Sequence, residues 1–134
     1  MKTETILLLS VIGTVVLACA ANEMPTRSEG EQLFADNCAA CHGLTAEGGD
    51  LIGGQSAPDL TQISSRNDGM FPRAQVMSTI DGYGAGRAAD VMPEFGALLP
   101  DDVELVPVEV DGTLTPTPRP LAAVLFYLEG IQTP

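Results

Sequence analysis

Cys38, Cys41 and His42 are the residues of this chain whose types and spacing carry the most definite chemistry. Two thiols three positions apart fall on one side of a helical turn. They can add to the two vinyl groups on one edge of a porphyrin. The residue that follows then lies beneath the ring, with its imidazole in reach of the iron. Cys38-Ala39-Ala40-Cys41-His42 thus reads as a covalent attachment site for one haem, with His42 as proximal ligand. His42 is the only histidine in the chain, so no other imidazole can take that place. Two other chemistries use the same cysteine gap. A thioredoxin-like redox pair needs a βαβ setting, which the sequence pattern lacks. Half of a zinc site needs further cysteine or histidine ligands, and the one remaining cysteine is Cys19.

Cys19 sits in a different context. Met1–Thr5 is a short polar start, and Ile6–Ala18 is an almost unbroken apolar run. The run has the length of a signal-peptide core and is short for a membrane span. Val16-Leu17-Ala18-Cys19 then resembles the bacterial lipobox, in which small residues admit the signal peptidase and the cysteine sulfur takes a diacylglycerol. On this reading residues 1–18 are a signal peptide, Cys19 carries lipid, and residues 19–27 form a short polar linker. Two alternatives stay open. Ala18-Cys19-Ala20 is also an A-x-A cleavage site for plain secretion, and Ile6–Ala21 left uncleaved is a short anchor. Each alternative places the domain outside the cytoplasm, on the periplasmic side of a bacterial membrane. With lipid on Cys19 and haem on Cys38 and Cys41, the odd cysteine count leaves none over.

Composition narrows the function classes. The chain has 134 residues, 18 acidic against 6 basic, and a formal net charge of −12. Lys2 is the only lysine, so past residue 27 the cations are arginines. Phosphate contacts need a basic surface, which excludes nucleic acid as a partner. The acidic excess serves solubility, or steers the protein to a cationic partner surface. Large core residues are few: six aromatics, no tryptophan, 14 glycines and 10 prolines. A small, loop-rich domain of this kind needs a staple, which a buried prosthetic group supplies.

The elements that must position the site can be read from pattern. Ser28-Glu29-Gly30-Glu31 has the form of a capping box, predicting a helix from about Glu29 to Ala40 with Leu33 and Phe34 as apolar contacts. That helix delivers the two thiols at its C-terminal end. A second helix is predicted over Phe71–Asp81, entered at Pro72 and stopped by Gly82, with Val76, Met77 and Ile80 as an apolar stripe. A third runs Pro120–Glu129, with Leu121, Val124, Leu125 and Leu128 at i, i+3, i+4 and i+7 and Gly130 beyond. Between the last two, residues 99–118 hold an alternating stretch, Val103–Leu114, around the turn signal Asp111-Gly112, followed by an extended Thr115–Pro118. This predicts a small β-hairpin insertion. A solvated loop beside the haem edge is one alternative, and a docking surface for one partner is another.

The run Gly30-x-x-Leu33-Phe34-x-x-x-Cys38-x-x-Cys41-His42-Gly43, together with Ala57-Pro58-Asp59-Leu60, resembles the class I cytochromes c. The resemblance covers residues 28–98 and 119–131. It implies an all-α, class I cytochrome c-like domain over residues 28–134, with three main helices around one covalent haem c. Gly30 would let the first helix cross the last one closely, with Phe34 and either Phe126 or Tyr127 packed at the crossing. The Pro58 carbonyl would accept a hydrogen bond from His42, and Leu60 would pack on the haem. Met92, in Asp90-Val91-Met92-Pro93, would be the sixth ligand of the iron, with Met24, Met70 and Met77 as rivals. Arg87, just before that loop, either pairs with a haem propionate or stands in solvent, with Tyr83 as a weaker propionate candidate. The implied function is single-electron transport without catalysis by the domain itself. The implied partners are a quinol–cytochrome c reductase, a terminal oxidase or a dehydrogenase, met at a membrane reached through the lipid anchor. A haem enzyme or gas-binding sensor with an open sixth position is the competing reading, and a small subunit of a larger oxidoreductase complex is another.

Overall fold

A computed structural model of the protein describes residues 23–83 and 92–134. The first helix, α1, spans Arg27–Asn37. Its N-cap is Thr26, whose hydroxyl accepts the amide N–H of Glu29 at 3.2 Å. The predicted cap at Ser28 is therefore two residues late. Thr26-x-x-Glu29 and Ser28-x-x-Glu31 have the same form, and long-range contacts decide between them. Pro25 is buried just ahead of the earlier start. The Glu29 carboxylate is drawn to Arg119 in a two-armed pair, at 2.9 and 3.1 Å. A further arm of Arg119 donates to the Glu23 carbonyl at 2.7 Å. Residues 23–26, expected to belong to the short polar linker, are thus tied to the domain through the Glu23 carbonyl and the buried Pro25.

α1 ends before the first thiol. Cys38 breaks the helix with φ −116°, and a single further turn, α2, spans Ala39–His42 before Gly43 at φ +75°. The predicted helix to Ala40 is therefore two pieces hinged at Cys38. Next come a two-residue strand pair, β1 (Gly49–Asp50) with β2 (Ser56–Ala57), and 3₁₀ turns at Leu60–Gln62 and Ser65–Asn67. The helix α3 spans Arg73–Asp81 and buries Val76 and Ile80; Gly82 caps it at φ +102°.

The last helix, α4, spans Arg119–Gly130 and buries Leu121, Val124, Leu125, Tyr127 and Leu128. Its crossing with α1 is the most extensive helix contact among the described residues. Gly30 makes the crossing possible: a Cβ there would lie 2.8 Å from the Tyr127 Cβ and would overlap the Ala123 carbonyl. Phe34 and Tyr127 fill the crossing with ring centroids 5.2 Å apart. Such a pair adds about 0.5–1.5 kcal/mol beyond its burial. Phe126 faces the other way, 5.8 Å beneath the Arg73 guanidinium.

Between α3 and α4 stands the hairpin of β3 (Leu105–Val110) and β4 (Thr113–Pro118). Asp111 and Gly112 join them at φ +49° and +80°, the backbone a two-residue hairpin turn requires. Val106, Val108, Val110 and Thr117 face inward and are buried, so the hairpin belongs to the core and is no solvated loop. Pro107 stands opposite Pro116 and Leu105 opposite Pro118. At these positions a backbone N–H would point away from the partner strand. Proline removes it, so neither edge is fit to recruit another strand. Arg73 ties this unit together. It donates to both Glu129 oxygens at 3.0 and 2.8 Å and to the Glu109 carbonyl at 2.8 Å. The architecture is thus three main helices with two small sheets, a correction to the all-α expectation that includes one sheet, β1–β2, beyond the hairpin already expected.

Candidate haem site

Cys38 and Cys41 are free thiols in this structure. Cys38 is half-buried at the α1–α2 break, and Cys41 is exposed one turn later. The amides of Cys41 and His42 both donate to the Cys38 carbonyl, at 3.1 and 2.9 Å, which winds the three side chains into one turn. Burial, and then the neighbouring Cys41, push the Cys38 thiol up to about 11.

His42 is buried, with its Nδ1 3.4 Å from the Pro58 carbonyl oxygen, a long hydrogen bond. The tautomer that donates from Nδ1 leaves Nε2 bare, which is the form a metal requires.

The Pro58 carbonyl is fixed by a dense set of backbone contacts. The Gly48 amide donates to the His42 carbonyl at 2.9 Å, and the Leu60 amide to the Ala46 carbonyl at 2.8 Å. Gly48 has φ +76°, and a Cβ on it would lie 2.7 Å from the Pro58 carbonyl carbon and oxygen. Ala46 is fully buried at φ +60°. Beyond the proline, the Asp59 carboxylate accepts from the Thr61 amide at 2.8 Å, and its carbonyl accepts from Arg66 at 2.7 Å. From the far end of the chain, the Gln132 amide donates to the Leu60 carbonyl at 2.9 Å. Sequence reading missed Ala46, Gly48 and Gln132. The Gly48-Gly49 pair was an available turn signal; Ala46 and Gln132 act through backbone geometry and long-range contact, which leave no local pattern.

Met92 lies half-buried against the core. Its segment is held where the Phe95 amide donates to the Ile80 carbonyl of α3 at 2.9 Å, with the Phe95 ring buried. The rival methionines sit differently. Met24 and Met70 are exposed, and Met77 packs beside Thr117, whose hydroxyl lies 4.0 Å from its sulfur. Tyr83 is 94% exposed. Arg87 and Cys19 lie outside the described residues.

The residues present fit a covalent haem. They supply two unpaired thiols on one turn and one imidazole oriented by a carbonyl. Leu60, Ile63, Phe71, Met92 and Leu99 are apolar side chains that the polypeptide only partly covers. No three His, Cys, Asp or Glu side chains converge as a metal site among the described residues. A groove of about 470 Å³ runs between α3 and the hairpin, lined by Met77, Val110, Thr117 and Leu121 among others. It includes none of Cys38, Cys41, His42 or Pro58, and so is a separate feature. No helix among the described residues is long and apolar enough to cross a membrane.

Comparison with known proteins identifies the family. The family model described as Cytochrome c matches residues 28–106. The chain is 40% identical over 86 residues to the cbb3-type cytochrome c oxidase subunit CcoP of Cereibacter sphaeroides, covering 63% of this chain. It spans only 27% of that relative's length. No solved structure is significantly similar to it.

Proposed function

The chain belongs to the cytochrome c family, and from that premise we propose that it is a single-haem electron carrier working at the outer face of a bacterial membrane. The observation that carries this reading is the meeting of the attachment turn Cys38–His42 with the Pro58 carbonyl. Haem c, when bound, supplies the one-electron iron chemistry. The chain's own residues do the rest. Cys38 and Cys41 would hold the porphyrin covalently, and the Pro58 carbonyl keeps the His42 ring in one tautomer and one orientation. Met92 is proposed to help hold the iron through its thioether, which would deny that position to substrates and raise the potential. Leu60, Ile63, Phe71 and Leu99 would keep water from the ring, and Arg87 would pair with a propionate.

Of the three partner classes, a terminal oxidase is favoured, because the similar relative is named as a subunit of one. Membrane attachment through lipid on Cys19 is proposed from the sequence alone. The test is spectroscopic. Ferric protein should show the weak far-red band of methionine–iron(III) ligation, and ferrous protein should not bind carbon monoxide. Met92→Ala should abolish the band and admit carbon monoxide. Carbon monoxide binding by the unsubstituted protein would favour the open-site sensor or enzyme instead.

A further inference from the structure

Residues 43–58 make a hydrogen-bonded excursion that begins and ends on His42. The His42 carbonyl takes the Gly48 amide, and the His42 ring meets the Pro58 carbonyl. Between these anchors the Leu51 amide donates to the Gln55 carbonyl at 2.7 Å, and β1 pairs with β2. A loop fixed this well buries only Ala46 and Ala57. It turns two large apolar side chains outward, Leu44 at 76% exposure and Ile52 at 103%. Glu47 and Asp50 are exposed between them.

Carboxylates outnumber cations around the excursion, with Arg66 at its Pro58 end. From Ser28 to Ser65 the sequence has no lysine or arginine, and it has six carboxylates. Arg66 is bonded to the Asp59 carbonyl, while Arg73 and Arg119 are held in ion pairs on the helices and hairpin. The outward face of the hairpin is apolar too, but Glu109 is already paired with Arg73 and only Asp111, at the turn, is left outside an ion pair among the described residues. One carboxylate at its tip offers less charge to select a partner than Glu47 and Asp50 together.

We propose that the Leu44–Ile52 excursion is the docking face for a redox protein whose own face is apolar at the centre and rimmed by lysine and arginine. This rests on the electron-carrier reading. The negative loop attracts such a rim over a distance and repels anionic lipid headgroups. Contact there falls on the segment that holds the iron ligand, beside exposed Cys41.

The test uses labelled ferrous holoprotein and tris(phenanthroline)chromium(III), a paramagnetic, redox-inert and apolar trication. It should broaden the amide signals of residues 44–52, and the anion hexacyanochromate(III) should not. Glu47→Gln with Asp50→Asn should weaken the effect about threefold to tenfold. Asp101→Asn with Asp102→Asn, an equal charge change on another turn, should leave it nearly unchanged. Oxidation by the cobalt(III) analogue should follow the same order and slow as ionic strength rises. In that step one electron leaves the reduced protein and converts Co(III) to Co(II), with no proton moved. Broadening centred elsewhere, or equal weakening in both double variants, would overturn the docking face. Failure of both the cobalt cation and hexacyanoferrate(III) to oxidise the protein would overturn the carrier reading instead, on which the chromium map does not depend.

Discussion

The excursion from His42 to Pro58 and the hairpin from Leu105 to Pro118 are similar in length but hold their shapes by different means. The hairpin is regular. It alternates faces, buries three valines, and turns on Asp111-Gly112. The excursion buries two alanines and depends on backbone hydrogen bonds, positive-φ residues and one very close glycine contact. Burial tolerates adjustment, because a hydrophobic contact has no direction. A backbone carbonyl that must meet an imidazole tolerates little. The difference explains why the region proposed to hold the iron ligand is poor in large side chains, and why the region that stabilises the domain sits away from it.

The contrast can be broken at either end. The largest effect should follow Gly48→Val, which forces a side chain into the Pro58 carbonyl at a left-handed position. It should cost about 3 kcal/mol or more and lower the haem content of purified protein. Full haem loading with an unchanged melting temperature would show that the close contact is not needed. Val108→Ala empties a fully buried hairpin position. It should cost about 2 kcal/mol in denaturant unfolding while leaving the haem spectrum unaltered. A changed spectrum would mean that hairpin and iron site are not separable in this way. The smallest effect should come from Glu109→Gln, which removes a 3.4 Å pair with Arg73 at a half-exposed side chain. A loss of about 0.5 kcal/mol at low salt, vanishing at high salt, sharpens the view that the hairpin rests on burial and not on charge.

The two regions were also unequally legible in the sequence. The proposed attachment motif is readable because covalent chemistry would fix residue type and spacing within one turn. The hairpin was readable because alternation and an Asp-Gly turn are local signals. Even so, the strands run further than the alternating stretch, since Thr115–Pro118 pairs fully with β3. The first helix start was placed two residues late because two capping patterns overlap, and buried Pro25 and the pairing of Glu29 with Arg119, ninety residues on, favour Thr26. Arg119 also holds Glu23, so a stretch with linker-like composition is part of the domain. Tyr127 and Phe126 were indistinguishable until Gly30 and Arg73 were placed. The supports of Pro58 were least visible, because Ala46 and Gln132 contribute backbone position and reach, which residue type does not announce.

The central claim is that the chain carries one haem on Cys38 and Cys41. Acid–acetone extraction followed by mass measurement of the protein tests it most directly. The account predicts that the haem stays with the chain, its two thioethers mapping to Cys38 and Cys41. Haem released into the solvent, leaving both thiols free on the polypeptide, would contradict it.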